Sequence, residues 1–423
     1  MACSRRSFLG AVGLALASAA TVGCSRDPET FVSYAPRAEA RQSVTLTVLG
    51  SSGPYFDHSV VSAAADSFMD ENPEVLLSYD NVEGDLYATA FERRLSTGHL
   101  DDVFMLDPSQ ARMVAAAGQT CDLSGLAGTE AFDAFVDEAA RDPEGRLVSA
   151  PTRVAPFALF CGTEACSAAG LSASASLDGL LGLCRRWDGD GPLLEGDALA
   201  LGRALVQGPR VLSLGTGAAA VISASAGDPA ALAGLFLDDL ARLEALVATG
   251  SLRLSPDRPG EQGWDGSSAF AAGGAPLMVS GSWAAGRLLR DHADLGWSVE
   301  PLPGPDGRPF VVCDLDACVA VNGTTEHGDQ ARAFVEYLLR PEAMSGYCND
   351  ESCYRPVASA AVDGEHRLPY ARLVSEGRAV AGNGLQYPDG FDRALSAAVE
   401  AVFSGAPCAS ARDTMARALA GSS

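Results

Sequence analysis

The stretch "AFAAGGAPLMVSGSWAAGRLL", residues 269–289, decides how the chain reads. Pro276 to Val279 is an apolar, strand-like run that stops at Ser280-Gly281-Ser282-Trp283, and a helical pattern begins at Ala284. A strand feeding a helix at once is the unit of α/β folds. The junction joins the largest side chain, Trp283, to residues with almost none.

The same alternation runs outward from this point. Val44 to Leu49 reads as a strand, Ser59 to Glu71 as a helix closed by Pro73, and Glu74 to Tyr79 as a strand. Tyr87 to Ser96 is helical and Asp102 to Leu106 is a strand ending at Asp107-Pro108. This order predicts a mostly parallel sheet covered on both faces, with ligands outside the carboxyl ends of the strands. Pro156 to Leu254 reads mainly as helices, with Ser176–Arg186 and Pro229–Val247 the clearest. Cys318 to Val321 reads as a short strand, and Asp329–Leu339, Phe391–Phe403 and Ala409–Leu419 as helices.

The 423 residues, 47% of them hydrophobic, suffice for a large core and two lobes. Asp and Glu number 54 against 30 basic residues, a formal net charge of −24. Such a surface repels phosphate backbones, so nucleic acid is not an expected partner. All 30 basic residues are arginine, which excludes a lysine Schiff base and the lysine of a phosphate-binding loop.

Arg5 and Arg6 precede an apolar stretch from Phe8 to Val22, too short for a membrane-spanning helix but right for a signal peptide. The pattern resembles a twin-arginine export signal over residues 1–23. Thr21-Val22-Gly23-Cys24 resembles a lipoprotein cleavage box, with Thr21 in the place of the usual Leu, which makes Cys24 the expected lipidation site. Residues 24–43 are polar and aperiodic, suited to a tether. The mature protein is therefore expected outside the cytoplasm, anchored to the outer face of the membrane.

Of eleven cysteines, nine lie beyond the signal and the lipidation site. Six fall in three evenly spaced pairs, Cys161/Cys166, Cys313/Cys318 and Cys348/Cys353, and are candidate disulfides in an exported protein. Spacing does not give connectivity. A metal site is not expected, because the five histidines are scattered and no Cys-x-x-Cys occurs. No cofactor motif was found either.

The residues in order resemble the extracellular solute-binding proteins of ABC importers, in the branch that includes maltose-binding protein. Phe68 and Pro73 match its F-x-x-x-x-P, and Tyr87, Ser96-Thr97-Gly98 and Asp102-Val103-Phe104-Met105 match its next pieces. Phe270, Gly273, Ala275, Gly281, Ser282 and Trp283 match its F-x-x-G-x-A-x-M-x-x-x-G-S-W, with Leu277 where Met usually stands. Cys161-Gly162 departs from the family's Tyr-Asn. The resemblance implies the type II periplasmic-binding-protein fold, an α/β fold of two hinged lobes with a cleft between them. Lobe one would be 44–153 plus 314–346, and lobe two 154–313 plus 347–423. It also implies a monomeric, non-enzymatic receptor, without cofactor, that delivers a solute, most plausibly a carbohydrate or polyol, to a membrane permease.

By that analogy the strand ending in Gly-Ser brings backbone close to the cleft, and Trp283 stands over the solute as an apolar platform. The other reading of Trp283 is a core plug. Trp264 is a second stacking candidate or a loop anchor. Ser51, Ser52, Tyr55, Asp57 and Asp107 would line the first lobe, with helix capping the other role for the two aspartates. Arg153 would meet a ligand carboxylate or bridge the lobes. Tyr354, Arg355, Tyr387 and Phe391 complete the candidate site, with core packing the other role for Phe391. Two competing functions stay open: an exported redox or metal enzyme using the cysteine pairs, and a receptor for a metal chelate or polyamine built on Asp57, Asp107 and Asp314. Replacing Arg5 and Arg6 by Lys is expected to leave unprocessed precursor in the cytoplasm, and Cys24→Ala to release mature protein from the membrane, both read by cell fractionation and immunoblotting.

Overall fold

The structure is a computed structural model. It describes residues 31–33, 44–52, 60–170, 176–255, 266–343, 348, 353–357 and 366–421. The export arginines, Cys24, Tyr55, Asp57 and Trp264 lie outside the described residues. The strands are β1 (Phe31–Ser33), β2 (Val44–Ser52), β3 (Val75–Glu83), β4 (Val103–Met105), β5 (Ala150–Gly162), β6 (Leu194–Gly196), β7 (Leu252–Leu254), β8 (Leu277–Gly281), β9 (Trp297–Glu300), β10 (Val311–Val321) and β11 (Ala379–Ala381). Their order in the sheet is β1-β3-β2-β4-β10-β5-β8-β6-β7, with β11 on β10 and β9 on β5.

The parallel strands β3, β2 and β4 form one lobe and the parallel strands β7, β6 and β8 the other. Two long antiparallel strands join them. β5 pairs with β10 from Ala150 to Phe157, then with β8 and β9 from Phe157 to Gly162. β10 in turn reaches β4 through Val319, Ala320 and Val321. Every residue of β5 from Ala150 to Cys161 is buried, polar Thr152 and Arg153 included, so it shows no alternation of apolar and polar residues in the sequence. This is the two-lobe arrangement expected, but the sequence showed only the end of β10, at Cys318–Val321.

In the first lobe, Phe68 of the helix Val60–Glu71 packs edge-on against Phe334, 5.0 Å away, and Tyr337, 5.5 Å away, of the helix Gly328–Leu338. The predicted helix Pro229–Val247 is broken in two, Pro229–Gly234 and Leu237–Val247, because Phe236 turns inward onto Phe391. The helical run Ala198–Ala226 is long and apolar enough to cross a membrane. It is a lobe element instead. Its π-helical turn, Arg203–Gln207, is wholly buried, and Arg203 there pairs with Asp314 and Asp392.

The disulfides expected from the cysteine spacing are not formed: none of the nine cysteines among the described residues is disulfide-bonded. Cys313 and Cys318 share β10, and five residues of strand separate them by roughly 16 Å, too far for a bond to each other. Cys161 and Cys166 come together at the end of β5 but stay unbridged, and the Cys166 thiol donates to the Pro276 carbonyl at 3.6 Å. Cys348 and Cys353 are also not bridged. Both are buried thiols; burial pushes Cys348 up to about 12, and Cys353 Sγ instead accepts the Ser282 hydroxyl at 3.8 Å. An even spacing in sequence therefore marks packing positions, five of the six buried, rather than staples.

Phe68→Ala would empty a fully buried aromatic site, and we expect it to lower unfolding free energy by about 3–5 kcal/mol in urea titration.

Candidate functional site

A cavity of about 350 Å³ lies where both lobes meet the crossing strands. The first lobe contributes Ser51 at the end of β2, Tyr87, and Met105 to Asp107 at the end of β4. The crossing strands supply its floor, Ala155 of β5 and Asp314 to Cys318 of β10. Trp283 closes the second-lobe side and Asn383 one end. Strand ends and helix starts from both lobes therefore face one space, where an α/β sheet places its ligands. A larger cavity of about 1030 Å³ lies at the opposite end of β8, between Gly162, Trp187, Phe270 and Gly296. It draws on the second lobe alone and cannot report closure of the two halves.

Trp283 starts the helix Trp283–Asp291, one residue before the sequence pattern. A Cβ on Gly281 would sit 2.2 Å from the indole ring, so only glycine lets the ring fold back over the strand end. The ring packs edge-on against Phe157 at 5.5 Å and keeps a half-exposed face toward the cavity. Trp283 is both wall and packing element. Asp107 is the N-cap of Pro108–Ala116: its Oδ1 accepts the Ser109 and Gln110 N–H groups at 2.7 and 3.0 Å. It caps the helix and lines the cavity at once. Tyr87 hydroxyl donates to the Met105 carbonyl and accepts the Met105 N–H at 3.0 Å, and burial pushes its phenol well above the usual range. Ser51 N–H donates to Met105 Sδ at 3.4 Å, and Ser52 ends β2 opposite Glu83.

The other candidates lie elsewhere. Arg153 faces Asp316 across β5 and β10 and pairs with it at 2.7 Å, so it ties the crossing strands together rather than awaiting a ligand carboxylate. Tyr354 is buried against Tyr370, ring centroids 4.7 Å apart, with its hydroxyl accepting the Leu368 N–H. Arg355 donates to the Leu339 carbonyl at 3.1 Å. Tyr387 and Phe391 stack at 3.8 Å inside the second-lobe core. These aromatic faces are taken by protein, which leaves Tyr87 and Trp283 as the aromatic residues of the cavity lining among the described residues.

Sequence reading named Asp314 of the floor, in the chelate or polyamine alternative, but missed Asp316 and Asn383 beside it. Asp314 and Asp316 project from one face of β10, with buried Leu315 between them on the other. That alternation was the available signal. Arg203 reaches Asp314 from behind, Nε to Oδ1 at 3.1 Å, and Asp392 at 2.8 Å. Burial alone would weaken the Arg203 charge, but the two carboxylates hold it protonated. Burial likewise pushes Asp314 up to about 7, against the pull of Arg203. Asn383 completes the floor: its amide accepts the Leu315 N–H at 2.7 Å and donates to the Leu315 carbonyl at 2.9 Å.

A profile of bacterial extracellular solute-binding proteins matches residues 53–345. The chain belongs to that family. Its members are receptors, which removes the redox-enzyme reading and leaves an extracytoplasmic solute-binding protein. No curated protein sequence matches the chain significantly. Among solved structures, a family 1 extracellular solute-binding protein from Bifidobacterium longum subsp. infantis superposes with TM-score 0.72 at 15% identity, over 89% of this chain and 99% of that one. The apo form of RafE from Streptococcus pneumoniae gives 0.70 at 19% identity, over 89% and 97%. The sugar-binding protein MalE from Xanthomonas citri gives 0.68 at 16%, over 89% and 98%. The fold of this receptor is theirs.

The raised pKa of Asp314 makes a testable stability difference. Its carboxyl takes its proton at higher pH in the folded chain than unfolded, so the stability it contributes is full below about pH 4 and lost as pH rises through about 7. We expect Asp314→Asn, which keeps Arg203 paired with Asp392, to flatten the fall in melting temperature over that window in calorimetry.

Proposed function

We propose that the protein is a lipid-anchored receptor that captures a carbohydrate or polyol outside the cell and hands it to an ABC permease. One observation carries this reading: a half-exposed indole from one lobe faces strand ends from the other across a floor of crossing strands. A pyranose suits such a space, its C–H face on the indole and its hydroxyl edge on carboxylates. RafE has also been solved in complex with raffinose, and a further structural neighbour is a cyclic alpha-maltosyl-1,6-maltose-binding protein from Arthrobacter globiformis. The same placement supports Ser51, Asp107 and Trp283 as solute contacts. The course of β5 and β10 supports a division of 44–153 plus 314–346 against 154–313 plus 347–423.

Closure follows from contacts on both sides. A solute shifts the open–closed balance only by binding the closed form better, and this cavity lets it touch both lobes at once. The permease then reads the closed shape, and the segment between Cys24 and β1 keeps the receptor near it.

A panel of neutral oligosaccharides and polyols, raffinose and maltotriose included, tests this by tryptophan fluorescence and thermal shift. We expect a saturable response to at least one member, and a roughly tenfold or greater loss of affinity in Trp283→Ala. Absence of any response would end the carbohydrate reading.

A further inference from the structure

The outer edge of β10 changes hands between the lobes. β11 covers it from Val311 to Cys313, where the Gly382 N–H donates to the Cys313 carbonyl at 2.8 Å. β4 covers it from Val319 to Val321, where the Leu106 N–H donates to the Cys318 carbonyl at 2.9 Å. Between Cys313 and Cys318 no strand pairs with this edge among the described residues. A buried strand needs partners for its N–H and C=O groups. The Asn383 amide takes both groups of Leu315, so a side chain stands where a strand residue would. The two bonds also fix which way the amide faces, because turning it over would set donor against donor and acceptor against acceptor.

The chain around Asn383 is shaped to bring it there. A Cβ on Gly382 would lie 2.2 Å from Asp314 Oδ1, so only glycine lets the loop come this close. Leu385 and Gln386 follow in left-handed backbone, φ 42° and 64°, a conformation that residues with a side chain rarely adopt. Groups of the first lobe hold this turn. Arg112 donates to the Gly384 and Tyr387 carbonyls at 3.4 and 3.1 Å, and Gln386 Nε2 donates to the Arg141 carbonyl at 2.8 Å. Strain of this kind persists where the surroundings over-determine it, and it gathers at functional sites.

What the clamp controls lies on either side of Leu315. Of the two floor carboxylates, Asp316 is the more open, its side chain 38% exposed against 17% for Asp314. Asp316 Oδ2 rests on Arg153 at 2.7 Å, and its Oδ1 accepts the Ala317 N–H at 2.7 Å, with Ala317 itself in left-handed backbone at φ 46°. The short piece of β10 that presents Asp316 to the cavity therefore lies between a bend at Ala317 and a fixed point at Leu315. On the reading of this cavity as the solute site, we propose that Asn383 is a positioning residue for the solute. By holding Leu315 it aims the Asp316 carboxylate, the exposed acceptor of the floor, at a solute hydroxyl. Its effect on binding passes through Asp316.

A double-mutant cycle on the mature protein tests this, with raffinose, maltotriose and the other neutral oligosaccharides and polyols as probes. In calorimetric titration Asn383→Ala is expected to weaken whichever probe the unaltered protein binds by about tenfold or more. In an Asp316→Asn background, which keeps a carbonyl for Arg153, the same change is expected to cost about twofold or less. A residue that only braces the fold lowers the melting temperature and takes the same affinity from both backgrounds. Equal losses, or none, therefore overturn the role while leaving the receptor intact. Should Asn383→Ala fold poorly, Asn383→Ser runs the same cycle with the same expectation. Hydrogen exchange on the unaltered protein is expected to show the Leu315 amide protected before any solute is added, and an unprotected amide overturns the clamp whatever the variants do. No response of the unaltered protein to any probe overturns the solute-site reading and this role together.

Discussion

The pairing of β5 with β10 is the constraint on which the rest depends. Seven residue pairs in register, from Val312 with Phe157 to Val319 with Ala150, hold the two lobes to one ribbon. The ribbon is almost entirely buried, and its one cross-strand ion pair, Arg153 with Asp316, fixes the register at the cavity floor. Lobes joined this way can rock about the ribbon but cannot slide past it. A floor held this way would keep its shape if the walls approach, as the proposed grip on a solute from both sides requires.

Behind the floor stands a buried charge network. Arg203 is fully enclosed, and burying a guanidinium is costly unless its partners are close. The π-helical turn brings it within 2.8 Å of Gln207 Oε1 and aims it at Asp314 and Asp392. Three elements distant in sequence are thereby fastened at one point: the apolar helical run, β10, and the start of the helix Phe391–Phe403. Because Asp314 also faces the cavity, whatever binds there acts on a group that the second lobe's core already holds. The cavity floor and the packing of the second lobe meet in a single carboxylate.

How much of this was legible in the sequence depended on how many faces each element exposes. The first-lobe strands and helices alternate and were readable, as was the junction at Gly281 and Trp283, where small and large residues sit side by side. β5 and β10 were not, because burial on both faces removes the period-two signal. Asp314 was legible only as an acidic cleft candidate, and Asp316 and Asn383 were not, since they gain meaning only when the ribbon and the 383 loop come together. Tyr354, Tyr387 and Phe391 misled in the opposite direction: aromatic residues near a resemblance to sugar-binding proteins suggested stacking, yet each has a protein ring within 5 Å. The cysteine pairs misled too, since spacing along the chain says nothing of whether Cys313 and Cys318, or Cys348 and Cys353, present sulfurs to each other. Trp283 differs because Gly281 lets its ring fold over the strand end, where it stays half-exposed at the cavity.

The central claim is that two halves shut over a solute with Trp283 in the gap. Small-angle X-ray scattering of the mature protein, with and without an oligosaccharide that saturates it, tests this most directly. The account predicts a smaller radius of gyration and a narrower distance distribution in the saturated sample. Identical scattering curves from the empty and the saturated protein would contradict it.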